Sequence, residues 1–120
     1  MMTNLKAYMG HVLFVDLTKK EVSEFPWTDE DRIRTLGGKI MAADILLNHI
    51  RPGMKAFDED NWIVVTTGPL TRCDSPSSTR FNISTISPLT GILTSSNCGG
   101  SFGRRLKKAG WDAMIITGRA

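Results

Sequence analysis

The sequence predicts an α+β domain of mixed β-sheets with two or three helices. Residues 10–17, 62–67, 80–86 and 113–117 are short apolar or β-branched runs bounded by Gly, Pro, Ser or Asn, as strands are. Residues 28–36 and 39–50 carry apolar residues at helical spacing, and a third helix is expected at 101–109. With 120 residues, 41% hydrophobic and 22% charged, the chain has the balance of one soluble globular domain or part of one.

The stretch at 10–17 (GHVLFVDL) is apolar on both alternating faces, which suits a buried strand. Thr18-Lys19-Lys20 is a turn of hairpin length, and 21–25 returns as the second strand. Pro26-Trp27 breaks it. Thr28 followed by Asp29, Glu30 and Asp31 is a helix start, with a capping hydroxyl and acids in the first turn. Ile33 and Leu36 are that helix's expected apolar positions, and Gly37-Gly38 stops it. In the next helix, Ile40, Ala43, Leu46, Leu47 and Ile50 form one expected stripe, widened by Met41 and Ile45. His49 at its end reads as a structural histidine. Residues 62–67 (WIVVTT) are the strongest strand signal, and 70–79 (LTRCDSPSST) is a polar loop of the kind that carries function. The strand at 113–117 is apolar enough to need neighbours on both sides. Because the chain stops one turn later, the sequence predicts an incomplete domain that exposes an apolar edge and self-associates into a homo-oligomer.

Residues 87–110 hold the main functional signal. Ile92-Leu93-Thr94 reads as a brief extended run, followed by a small-residue corner, Ser95 to Ser101, that opens the basic helix. Adjacent Gly99 and Gly100 let a ligand approach the backbone, and Arg104, Arg105, Lys107 and Lys108 add positive charge. That combination describes an anion site. The plainer readings are a helix cap at Asn97 or Ser101 and a solvated cationic face. Neither G-x-G-x-x-G nor G-x-x-x-x-G-K-[ST] occurs.

A net charge of +3 is too mild, and the basic cluster too free of aromatics, to favour nucleic acid, which stays a minor alternative. Cys73 and Cys98 cannot by themselves hold an iron–sulfur cluster. With no signal-like or membrane-spanning run, residues 1–7 read as a loose leader and the chain as cytoplasmic.

Several separated motifs carry a family resemblance. They are GPLT at 68–71, Arg80-Phe81-Asn82, SPLTG at 87–91, Asn97-Cys98-Gly99-Gly100, Phe102-Gly103 and KKAGWDAMIITGRA at 107–120, with GHVLFVDLT at 10–18 and LGG at 36–38 before them. From about Tyr8 onward the chain resembles the amino-terminal domain of the aldehyde ferredoxin oxidoreductase family, covering about the first half of that domain. The resemblance implies a tungsten- or molybdenum-bis-pterin cofactor lying on this domain. It implies a 4Fe-4S cluster held by a missing downstream domain or subunit, and oxidation of aldehydes with ferredoxin as electron acceptor. Arg80 matches the family's pterin-phosphate arginine. Asn97 matches the residue whose backbone carbonyl meets a phosphate-bridging magnesium, and Gly99 the glycine that touches the pterin. No catalytic side chain is implied, and the chain alone is expected to be inactive. The alternative is a truncated, non-catalytic domain binding pterin or another phosphate ligand. Three local departures from the family pattern stand out: Lys39-Ile40 after the glycine pair in place of Arg-Gly, charge at Arg72 and Asp74, and Cys98 where Ser is usual.

Overall fold

The computed structural model describes residues 4–120, so the expected leader at 1–7 falls partly outside the described residues. The elements run β1 (Val12–Asp16), β2 (Glu21–Phe25), α1 (Asp29–Thr35), α2 (Gly38–His49), β3 (Ile63–Thr66), β4 (Phe81–Ile86), β5 (Leu93–Cys98), α3 (Phe102–Lys108) and β6 (Ala113–Thr117). The six strands form one mixed sheet in the order β2-β1-β6-β3-β4-β5. β1 and β6 run parallel, and the other neighbours are antiparallel.

The local signals explain these elements. Lys20 takes a positive φ of 57° in the β1–β2 turn, and the Lys19 amide donates to the Asp16 carboxylate at 3.0 Å. At α1, Thr28 and Asp31 form a reciprocal capping box, each side chain accepting from the other's amide at 3.2 and 3.0 Å. Asp31 is partly desolvated, which raises its pKa, but the bonds from Thr28 and Arg34 outweigh this and leave it below the usual carboxylate value. His49 is structural: its ring stacks on Trp62 at 3.6 Å between centroids, and Nε2 meets the Asp60 carbonyl at 2.6 Å.

Strand alternation gives the sheet two unlike faces. One carries Val12, Val64, Ala113 and Ile115, all fully buried beneath Met41, Ala42, Ile45 and Leu46 of α2 and beside Trp27. The other carries Leu13, Val15, Met114, Ile116, Ile63 and Ile83, half-buried or exposed, with Ile63 42% and Ile83 38% exposed, around Val65, which is 4% exposed. This second face is apolar and largely open.

Three expectations are corrected. The apolar positions proposed for α1, Ile33 and Leu36, are 66% and 60% exposed, and the helix buries Arg32 and Thr35 instead. In α2, Ile40 and Leu47 are 61% and 71% exposed, while Met41, Ala42, Ile45 and Leu46 face the sheet. The helix is apolar on two opposite sides, so spacing did not reveal which side the sheet takes. Finally, β6 is no deprived edge. Both its flanks are occupied from within the chain, by β1 and β3, and the edges are β2 and β5.

The α2 correction predicts unequal costs for adjacent leucines. Leu46→Ala empties a fully buried site and should cost about 2–5 kcal/mol, whereas Leu47→Ala should stay within about 0.5 kcal/mol. Equilibrium denaturation of the chain measures both; similar losses would mean that α2 seats the other way round.

Candidate functional site

A concave site lies where β3 ends, β4 begins, β5 ends and α2 starts. It is a cavity of about 340 Å³ whose lining includes Gly38, Thr66, Thr71, Arg80, Asn82 and Asn97. The 68–79 loop forms one wall, from Gly68 and Pro69 to Pro76, Ser77 and Ser78. The residues beneath it are polar yet satisfied. Asn82 is 2% exposed, accepts from the Ser84 hydroxyl at 2.6 Å and donates to the Asn97 side chain at 2.8 Å. The Thr66 hydroxyl donates to the Gly38 carbonyl at 2.7 Å. Satisfied this way, four small polar groups sit at a sheet end without the penalty of unpaired burial.

The walls are held by two clamps. At the first, the Gly38 amide donates to the Thr67 carbonyl at 3.0 Å. A Cβ on Gly37 would lie 2.6 Å from that same oxygen, so only glycine lets α2 start this close to β3. At the second, Lys107 of α3 is 2% exposed and its Nζ donates to the carbonyls of Gly68 at 2.5 Å and Pro69 at 3.1 Å. Burial pushes the Lys107 pKa below the ordinary lysine value, against the opposing pull of Asp112. Gly103, one turn earlier on the same helix face, has a would-be Cβ 3.2 Å from Phe81 and 3.3 Å from the Thr79 carbonyl.

Arg80 and Asn97, singled out from the sequence, thus line one cavity. Arg80 is exposed and has no ion-pair partner among the described residues. Asn97 is not in a corner that opens a helix. It belongs to β5, paired opposite Asn82, and the predicted corner shrinks to residues 99–101. The partner register of β4 explains this: six residues of β5 pair with it, and small polar side chains are tolerated on an edge strand. Gly99 is outside the cavity lining, and a Cβ there would meet nothing within 4 Å. Ser101 precedes α3 but makes no side-chain cap bond. Cys73 and Cys98 are exposed free thiols, and no cluster of three or more His, Cys, Asp or Glu able to hold a metal occurs among the described residues.

Comparison with known proteins gives this geometry its context. Residues 12–120 match the family model described as the N-terminal domain of aldehyde ferredoxin oxidoreductase. A tungsten-containing aldehyde ferredoxin oxidoreductase of Pyrococcus abyssi is 39% identical over 113 residues, which are 94% of this chain and 19% of that protein. The WOR-like subunit of an aliphatic sulfonate oxidoreductase of Pyrococcus furiosus is 32% identical over 95% of this chain and 18% of its own length. Among solved structures, the active site complex BamBC of benzoyl coenzyme A reductase with 1,5-dienoyl-CoA superposes with a TM-score of 0.91 at 32% identity, covering 95% of this chain and 18% of that one. The chain therefore spans about a fifth of the length of these relatives.

Sequence reasoning missed Asn82, Ser84 and Lys107. The first two sit on the core-facing side of β4, a polar signal readable in the alternation of FNISTI. Lys107 was grouped with its solvated neighbours, and nothing in a run of four cations within five residues marks one as buried.

Lys107→Ala should remove the buried amine's bonds to two loop carbonyls and cost about 1–3 kcal/mol, while Lys108→Ala, at an exposed position, should change stability little. Lys107 also gives a pH signature. Its folded pKa lies below the unfolded value near 10.5, so between the two only the unfolded chain holds the proton and stability rises with pH. Lys107→Met should abolish that rise in alkaline denaturation curves. An unchanged curve would place the amine in solvent.

Proposed function

The chain belongs to the aldehyde ferredoxin oxidoreductase family, as its N-terminal domain, and we propose that it cradles the phosphates of a tungsten- or molybdenum-bis-pterin cofactor within a larger oxidoreductase. The observation that carries this reading is the convergence of Arg80, just before β4, and Asn97, near the end of β5, on one cavity. The donor set fits. A guanidinium free of internal partners offers a fork matched to phosphate oxygens. Polar groups beneath it are already satisfied, so a phosphate need not compete with an unpaired neighbour. The open space at Gly99 is where a ligand would reach the backbone. At about 340 Å³ the cavity is at the small end of the ligand-pocket range and would take one phosphate-bearing end of a larger group.

In this reading Arg80 would hold the phosphate, Asn97 would offer its backbone carbonyl to magnesium, and Gly99 would leave the contact surface flat. When bound, the metal centre supplies the redox chemistry, and this chain's part is binding and orientation. Tungsten is favoured by the name of the Pyrococcus abyssi relative, and aldehyde oxidation with ferredoxin as acceptor by the same name. A 4Fe-4S cluster must come from beyond these 120 residues, because two exposed thiols fall short of the usual four. Those reduced thiols suit the cytoplasm. No helix among the described residues is long and apolar enough to cross a membrane.

The open sheet face supports a place in a larger body. Leu13, Val15, Met114, Ile116, Ile63 and Ile83 spread across four adjacent strands, a surface that more protein would cover. Alone, the chain is inactive in this reading.

Arg80→Ala should lower retention of pterin cofactor, read from the fluorescence of released oxidised pterin, by roughly ten- to a hundredfold. Arg80→Lys should recover part of it. Gly99→Val meets no protein atom, so it should leave stability near wild type while impairing retention. Lys19→Ala, on the exposed β1–β2 turn, is the control. Equal losses for Arg80 and Lys19 would reduce the site to diffuse charge. Anaerobic reconstitution of the chain with iron and sulfide should give no stoichiometric cluster chromophore; a stable cluster would remove the need for a second source of cysteines.

A further inference from the structure

A second concave site lies on the outer side of α3. It is about 440 Å³ in volume and is lined by Arg72, Ser101, Arg104, Arg105 and Lys108. We propose that this pocket binds a compact phosphoanion, of the diphosphate or triphosphate class, independently of the cavity around Arg80. The two linings share no residue.

The rotation of α3 creates the pocket. Gly103 and Lys107, four apart, form the buried side of the helix, against Phe81 and the Gly68–Pro69 carbonyls. Ser101, Arg104, Arg105 and Lys108, spaced three and four apart, therefore share the opposite face. Arg72 joins them from the neighbouring loop. It is held at a positive φ of 78° between two fixed residues, the Thr71 amide donating to the Gly68 carbonyl and the Cys73 amide to that of Leu70. Lys107 ties that same loop to α3, so the helix and the loop present their cations as one surface.

The pocket is unbalanced in charge. No carboxylate lines it, and none of its four cations has an ion-pair partner among the described residues. Gathering like charges this way is unfavourable until an anion arrives. Three guanidinium forks match phosphate oxygens in pairs, and the Ser101 hydroxyl adds a neutral donor. No aromatic residue lines the pocket, so a base would find no stacking surface and the phosphate chain alone would be recognised.

The test is calorimetric titration of the 120-residue chain with tripolyphosphate and, separately, with ATP, at about 0.15 M salt. A saturable site that persists in Arg80→Ala is expected, with equal affinity for both probes. Arg72→Ala and Arg104→Ala should each weaken it roughly tenfold or more, with Arg72→Lys intermediate. Arg80→Ala and Lys19→Ala should leave it unchanged. All these positions are exposed, and thermal melts of the variants should coincide with wild type. Absence of saturable binding, or equal losses for Arg72 and Lys19, would overturn the site. Loss with Arg80→Ala would merge it with the pterin cavity, and markedly tighter ATP binding would overturn the phosphate-only class. Since neither proposal shares a residue with the other, failure of one leaves the other standing.

Discussion

The buried carboxyl-terminal aspartate Asp112 is the constraint on which the rest depends. It is 3% exposed and sits just before the central strand β6. Its carboxylate accepts from the amides of Met9 and Gly10, both at 2.9 Å, which fixes the chain entering β1. Its own amide donates to the His11 carbonyl at 2.8 Å, and its carbonyl accepts from the Thr67 amide at 3.0 Å and hydroxyl at 2.6 Å. One residue thereby sets the start of the parallel β1–β6 pair and the exit of β3. Parallel pairing across the length of a chain is entropically slow to find, and a fixed polar clasp at one end specifies its register.

The counter-charge comes from Arg32, also buried at 2%, whose Nε lies 3.7 Å from the Asp112 carboxylate. Its Nη1 donates to the Trp27 carbonyl at 2.6 Å, while Nε and Nη2 have no hydrogen-bond partner within bonding distance. Such a pair adds little net stability, because desolvation offsets most of the attraction; Arg32 is also paired with Asp29 at 3.3 Å, so it is loss of Arg32 that would leave the buried Asp112 carboxylate without its ion-pair partner. Its role is positional. It pins α1 against the end of the sheet, and the short Leu36–Gly37–Gly38 link then delivers α2 to the Thr67 carbonyl. Asp112, Thr67 and Gly38 form a continuous chain of contacts from the core to the rim of the cavity.

The strands and helix starts were legible because their signals are local. The run at 113–117 coincides with β6, and the Thr28 capping pattern with the start of α1. The resemblance located Arg80 and Asn97 before any geometry did, and the structure sets them on one cavity. What stayed hidden depends on partners distant in sequence. Ile33, Leu36, Ile40 and Leu47 are apolar and exposed, whereas Arg32 and Lys107 are charged and buried. An apolar residue at helical spacing marks a face that will be covered, without saying whether this sheet or another surface covers it. A charged residue becomes buried only when its counter-groups arrive: for Arg32 the local Asp29 joined by Asp112 from eighty residues away, and for Lys107 two loop carbonyls. β5 was read too short for the same reason: Ser95, Ser96 and Asn97 have weak strand preference and extend only because β4 lies beside them.

The sheet's two faces show how the same strands serve different ends. On the helix-covered face the residues change character across the sheet, from Val12 on β1 and Ala113 and Ile115 on β6, through Val64 and Thr66 on β3, to Asn82 and Ser84 on β4. Apolar burial supplies the stability under α2, and on β4 the polar groups are satisfied by one another. The open face keeps its apolar residues on the four central strands, from Leu13 and Val15 to Ile83. A polar site placed there would have lacked α2, whose amino end, through Gly38, closes the cavity on the other side. The covered face is therefore the one on which the cavity around Arg80 is both walled by α2 and supported by satisfied polar groups.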